Sequence, residues 1–217
     1  RRPEALSLLE SMIYGTAGFT AAQCVLRLQD QQVQPENGPI LVTGATGGVG
    51  SMAVALLRAI GYTVTAATGK PEEAAFLEAL GASEIVSRDK VTDTKGRALL
   101  REKWAGVVDT VGGEMLSTAV KATKYGGTVT CCGNVASPHL ALTVYPFILR
   151  GISLMGIDSA ECPMSVRQRV WQKLADEWKL PELAQIATVI PLADLDHHID
   201  LILQGKEKGR VVVDLHN

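Results

Sequence analysis

Aromatic side chains are scarce in this sequence. They make up 5% of 217 residues, against 47% hydrophobic residues in all, so the core must be aliphatic, as suits an α/β protein. Net charge is nearly absent as well, at −2. That excludes a global attraction to nucleic acid or to a membrane surface, and any anion site has to be local. No apolar run is long enough to span a bilayer. Glu4 and Glu10 break up the N-terminal apolar stretch, so residues 1–20 do not read as a signal peptide. Repeats and low-complexity segments are missing. The four cysteines, Cys24, Cys131, Cys132 and Cys162, contain no Cys-x-x-Cys pair. They read as buried free thiols in a reducing, cytoplasmic compartment, with no metal site. Cys131 and Cys132 are neighbours in a strand-like run, so their side chains should point to opposite faces.

What the sequence does have is a stretch running Val42-Thr43-Gly44-Ala45-Thr46-Gly47-Gly48-Val49-Gly50-Ser51. Before it stands the β-leaning run Ile40-Leu41-Val42, and after it the helix-length apolar segment Met52–Ile60, which stops at Gly61. Strand, glycine-rich turn and helix in that order are the context of a dinucleotide-binding turn. Gly47 lets the backbone approach a diphosphate, and Gly50 lets the new helix cross the strand closely. The helix opens with free N–H groups and a partial positive charge. Against G-x-G-x-x-G the three positions are Ala45, Gly47 and Gly50, so the first glycine is replaced by alanine. No Gly-Lys-Ser/Thr follows, which excludes a P-loop.

Helical spacing covers residues 3–33, interrupted at Gly15-Thr16-Ala17-Gly18. Strands are expected at 40–42, 63–68, 84–86, 106–111, 127–132 and 152–157. Helices are expected between them at 52–60, 72–80, 94–104 and 115–124, with a short helical turn at 146–150. This alternation predicts a doubly wound, parallel six-stranded sheet of the Rossmann type. Beyond it lie a charged amphipathic helix at 165–178, a strand at 187–190, a helix at 193–203 and a last strand at 209–215. His197 and His198 on that late helix read as solvated, and Arg150 as a helix-end charge.

The end of the second strand discriminates between nicotinamide cofactors. A carboxylate there would bond the ribose hydroxyls of NAD and repel a phosphate. This sequence offers the Thr68 hydroxyl and the Lys70 cation, with no acid until Glu72, and Arg88 follows the third strand. These cations predict NADPH.

Several stretches together resemble the medium-chain dehydrogenase/reductase superfamily. They are Gly15–Ala21, the glycine turn, Leu80-Gly81-Ala82-Ser83, Asp109-Thr110-Val111-Gly112, Tyr125-Gly126-Gly127, Pro146-Phe147-Ile148-Leu149-Arg150 and Gly156-Ile157-Asp158-Ser159. The branch they resemble is the zinc-independent, quinone-oxidoreductase-like one of acrylyl-CoA reductase type. The resemblance implies NADPH-dependent reduction of an activated C=C bond, acryloyl-CoA to propanoyl-CoA, without a metal. It places Thr46, Gly47, Gly48 and Val49 at the diphosphate, and Thr68, Gly69, Lys70 and Arg88 at the adenosine phosphate. Asn134, Ile148 and Ser159 fall on the nicotinamide half. Relatives often carry Arg where this chain has Lys70, which keeps the charge and loses the bidentate fork. The family places a GroES-like substrate domain before the segment that opens this sequence, which starts with Arg1. Residues 20–159 are therefore expected to form the Rossmann domain, with 1–19 and 160–217 as remnants of an incomplete GroES-like domain. Catalytic residues stay unnamed.

A small-molecule substrate, possibly a CoA thioester, is the expected partner, with no nucleic acid or membrane. A homodimer is expected from the unpaired apolar edge of the last strand. Two other readings stand beside this one. Short-chain dehydrogenases share the turn, but they need Tyr-x-x-x-Lys. The residues four after Tyr14, Tyr62, Tyr125 and Tyr145 are Gly18, Ala66, Val129 and Leu149. A cofactor-binding module without turnover, or a quinone or enone oxidoreductase of the same superfamily, remains open.

Overall fold

Strand β1 (Ile40–Thr43) is four residues long and buried throughout, and the sheet grows outward from it on both sides. The computed structural model describes residues 2–215. The other strands of this sheet are β2 (Val64–Thr68), β3 (Glu84–Ser87), β4 (Trp104–Asp109), β5 (Thr123–Cys131) and β6 (Ser153–Gly156). All pair in parallel in the order β3-β2-β1-β4-β5-β6. This is the doubly wound order, whose reversal at β1 opens a crevice at the carboxyl ends of β1 and β4.

Side-chain alternation divides the core. Ile40 and Val42 of β1 face one apolar cluster, and Leu41 faces the other. The first cluster is closed by α1 (Leu8–Asp30) and α2 (Gly48–Ala59). The second is closed by α4 (Gly113–Ala122) together with Phe147 of α5 (Tyr145–Arg150). Helix α3 (Ala74–Ala79) buries Leu77 in the first cluster. As expected, Cys131 and Cys132 diverge: Cys131 packs on the α4 side and Cys132 on the α1 side. Only Cys24 is fully buried, however. Cys131, Cys132 and Cys162 are half-buried, because all three lie at or beyond the strand ends rather than inside the sheet.

Helix α1 starts with a reciprocal cap. Glu10 N–H donates to Ser7 Oγ at 3.0 Å, and Ser7 N–H donates to the Glu10 carboxylate at 2.7 Å. The expected interruption narrows to Gly15 alone, at φ 47° and ψ −152°, and helix resumes at once. The boundary drawn at residues 19/20 falls inside α1. Leu6 and Tyr14 before it share one cluster with Val170 and Leu174 of α6 (Met164–Ala175) and Val212 of β8 (Arg210–Asp214). Strand β7 (Ala187–Pro191) pairs in parallel with β8 in a separate two-stranded sheet, and α7 (Leu195–Leu203) connects them. No helix of the described residues is long and apolar enough to cross a membrane.

The helix expected at 94–104 does not form. Asp93 is the reason. Its buried carboxylate accepts from the N–H groups of Lys95 and Arg97, bonds a helix would have spent within itself. Gly96 adds a left-handed residue at φ +65°, and Trp104 is drawn into β4.

Candidate functional site

The carboxyl ends of β1 and β4 are locked together before any ligand is considered. Thr43 Oγ1 donates to the Asp109 carboxylate at 2.7 Å and accepts from Thr110 N–H at 3.1 Å. Thr110 Oγ1 donates to the Thr43 carbonyl at 2.9 Å. Asp109 also accepts from Gly112 N–H at 2.8 Å. Burial pushes its carboxyl upward, and these hydrogen bonds oppose that shift. Asp109 is therefore a brace for the loop after β4.

On this brace sits the glycine turn. Gly44 lies at φ +60°, where a Cβ would stand 2.3 Å from Thr110 Oγ1. Gly50 faces the Gly44 carbonyl so closely that a Cβ would stand 2.3 Å from its oxygen and 2.7 Å from Ala45 Cα. Ala45, in the place of the motif's first glycine, has its methyl fully buried in the α1–α2 cluster, so the alanine fits. Gly47 is the extended residue before α2 and supplies no side-chain cap. The opening N–H groups of this twelve-residue helix thus have no side-chain cap.

Toward β2 the site is made of side chains. The Thr46 hydroxyl meets the Thr68 hydroxyl at 3.2 Å, and Thr68 accepts from Lys70 N–H at 3.0 Å. Thr68 thus already holds the turn and the strand end together. Lys70 Nζ donates to the Glu207 carbonyl. Arg88 is exposed and lies over Gly69, where a Cβ would stand 1.9 Å from the guanidinium; among the described residues it has no ion-pair partner. Thr68, Gly69 and Arg88 line a cleft of about 610 Å³ that continues along β3.

The expected nicotinamide residues are dispersed. Asn134 lines a cavity of about 640 Å³ at the ends of β5 and β6, together with Gly112, Cys131, Leu154 and Asp158. Ser159 stands just past that lining, and its carbonyl accepts from Arg167 at 2.7 Å. Ile148 projects from α5, 71% exposed. The end of α5 is tied low on the sheet, because Arg150 donates to the carbonyls of Leu100, Lys121 and Thr123.

Sequence reasoning missed the segment 207–210. Gly209 N–H donates to the Thr46 carbonyl at 2.9 Å, and Lys208 pairs with Glu73 at 2.6 Å. Arg210 is half-buried between Gly15 and Gly48, with its guanidinium 3.2 Å from where a Gly48 Cβ would be. Its Nε donates to the Ile13 carbonyl at 3.2 Å. That carbonyl lies two residues before the Gly15 kink, so kink, glycine turn and β8 meet at one cation. The only local signal was a glycine–arginine pair opening an apolar strand. Nothing in the sequence ties residue 210 to residue 48.

A family model described as "Zinc-binding dehydrogenase" matches residues 48–176. The chain is 45% identical over 214 residues to "Acrylyl-CoA reductase AcuI" of Ruegeria pomeroyi, covering 99% of this chain and 65% of that protein. The yhdH oxidoreductase from Salmonella enterica, solved in complex with NADP, is similar with a TM-score of 0.94 at 43% identity, over 98% of this chain and 65% of that one. Bacillus subtilis protein yhfP, solved with NAD bound, gives a TM-score of 0.95 at 47% identity, over 98% and 65%. The chain thus spans about 65% of the length of the relatives it matches.

Proposed function

From the premise that this chain belongs to the zinc-binding dehydrogenase family, in its acrylyl-CoA reductase and quinone-oxidoreductase-like branch, we propose that it binds NADPH and reduces an activated C=C bond. The observation that carries this is the uncapped glycine turn flanked by Lys70 and Arg88, with no carboxylate at the end of β2. Thr46, Gly47, Gly48 and Val49 would hold the diphosphate, with Arg210 beside Gly48 as a further cation. Thr68, Gly69, Lys70 and Arg88 would hold the ribose phosphate. Asn134, Ile148 and Ser159 are assigned to the nicotinamide half. The cofactor supplies a hydride. The chain's own part is to fix it across the strand ends and to keep its phosphates on donors that are already oriented.

Among the described residues no three His, Cys, Asp or Glu side chains are grouped so as to hold a metal ion, and no step here runs through one. The substrate class follows the relative named an acrylyl-CoA reductase, so acryloyl-CoA to propanoyl-CoA is the proposed reaction. Residues 20–159 are the nucleotide-binding unit of this reading. Residues 1–19 and 160–217 belong with a GroES-like substrate domain. The apolar exposed Leu8 and Met12 of α1, and Ile202 and Leu203 of α7, are in keeping with a covered face there. A homodimer along the β6 edge and a reducing, cytoplasmic setting complete the proposal; all four thiols are unpaired. Because the chain spans 65% of its relatives, a cofactor-binding unit that does not turn over by itself is the second reading.

The test measures NADPH oxidation with acryloyl-CoA and with simple quinones, using this chain and any longer natural form. NADPH binding by both, with turnover by the longer form, is expected. Binding without turnover of any of these substrates by the longer form defeats the reductase reading.

A further inference from the structure

The turn between α7 and β8 reaches the phosphate end of the crevice from the far end of the chain. Three consecutive residues tie it there. The Glu207 carbonyl accepts from Lys70 Nζ, Lys208 Nζ donates to the Glu73 carboxylate at 2.6 Å, and Gly209 N–H donates to the Thr46 carbonyl at 2.9 Å. The Glu207 carboxylate lies 2.6 Å from His198 Nδ1. Gly209 has no slack, because at φ +58° a Cβ there would stand 2.2 Å from the Ile186 oxygen. Lys208 is thus placed by its two neighbours, and both of them hold residues assigned to the cofactor. Its own partner, Glu73, belongs to the same rim. Glu73 N–H donates to the Lys70 carbonyl at 3.1 Å, and the Glu73 side chain is only 20% exposed. Lys208 also lies over the Phe76 ring, 5.4 Å from its centre.

We infer that Lys208 is a specificity-determining residue that acts without touching the nucleotide, by cancelling the charge of Glu73. This rests on the NADPH reading above and identifies what keeps that rim positive. Glu73 follows Lys70 by three residues, so its carboxylate stands beside the cations assigned to the ribose phosphate. Left bare, a mostly buried carboxylate there would repel a phosphate, and it is screened less than the exposed Glu72 before it. With Glu73 paired, Lys70 and Arg88 act unopposed. Lys70 bonds only a neutral carbonyl, and Arg88 has no ion-pair partner among the described residues. NADH carries a hydroxyl where NADPH carries the phosphate, so the same pair matters little to it. A residue 138 positions after Lys70 therefore helps to set the cofactor that Lys70 receives.

The test titrates the full chain with NADPH and with NADH at low salt, following nucleotide fluorescence, and records a melting temperature for each variant. In Lys208→Met, which keeps an apolar stem over Phe76, NADPH should weaken about fivefold while NADH stays within about twofold. In Glu73→Gln the lysine is left uncompensated, and NADPH should tighten by a similar factor. The double variant restores the charge of the rim and should return to within about twofold of wild type. All of these shifts should shrink at about 0.5 M salt. A loss in Lys208→Met that persists in the Glu73→Gln background makes the lysine a phosphate ligand itself and overturns the inference. Equal weakening of both nucleotides in Lys208→Met overturns it too, because that is what a merely structural tie would give. A wild type that prefers NADH defeats the NADPH reading and this inference with it. A wild type that prefers NADPH, with variants that leave the preference unmoved, defeats this inference alone.

Discussion

The two ends of the crevice are built from different material. Around Gly44–Gly50 the main features are backbone: a positive φ, a helix start pressed against the Gly44 carbonyl, and helix N–H groups, with Arg210 beside Gly48 as the one added cation. Around Lys70 and Arg88 the recognition is carried by two long side chains on the rims of β2 and β3. Backbone recognition is rigid and blind to what hangs from the ribose. Side-chain recognition is selective, and it is softer because the groups are exposed or otherwise engaged. In the proposed reading, the turn therefore sets whether a dinucleotide binds, and the cations set which one.

The largest effect should come from breaking the backbone end. Gly50→Ala puts a methyl 2.3 Å from the Gly44 oxygen, a clash that only backbone movement can relieve. A loss of about 3 kcal/mol in stability is expected. At temperatures where the variant is folded, NADPH and NADH affinities should fall by the same factor, read by nucleotide fluorescence titration. A selective loss of one cofactor would contradict the division. A smaller and selective effect is expected at the other end. Arg88→Ala should weaken NADPH by about tenfold and leave NADH within about twofold, as befits one exposed charge-assisted contact. Lys70→Ala should cost less, about threefold for NADPH, because Lys70 already donates to the Glu207 carbonyl. If Lys70→Ala proves the more damaging of the two, the lysine leaves Glu207 for the phosphate and the ranking reverses.

The same division explains what could be read from the sequence. The six strands, their parallel pairing, the glycine turn and the edge position of β6 were legible, because strand–turn–helix alternation is a local signal repeated along the chain. Thr46, Thr68, Lys70 and Arg88 were legible as strand-end residues. That Thr68 is shared between Thr46 and Lys70, and that Lys70 reaches Glu207, were not, since those bonds join segments 22 and 137 residues apart. Arg210 was missed for the same reason. The 94–104 error has a different origin. Its apolar spacing is helical, but one buried carboxylate outweighs periodicity by offering the backbone another partner.

Asp93 also supplies the smallest expected effect on the nucleotide, and so a control on the comparison. It packs against the C-terminal half of α4, away from the strand ends, with its side chain 1% exposed and bonded to Lys121 and Arg97 at 3.1 Å each. Burial alone would raise its pKa. The hydrogen bonds from Lys121 and Arg97 outweigh that and hold it well below the usual carboxylate range. A depressed carboxyl stabilises the fold fully above the unfolded pKa of about 3.9 and loses that contribution as pH falls through the folded value. Asp93→Asn should therefore melt well below wild type near neutral pH, and the gap should narrow only once the pH drops below about 4. Lys121 keeps its burial but loses its counter-charge, so the variant cannot be neutral at pH 7. Under conditions where both proteins are folded, NADPH and NADH affinities should stay within about twofold of wild type. A selective NADPH loss as large as that of Arg88→Ala would mean that the loop from Arg88 to Asp93 transmits its anchoring to the cation above it. Recognition at that rim would then depend on the buried ion pair as much as on the exposed arginine.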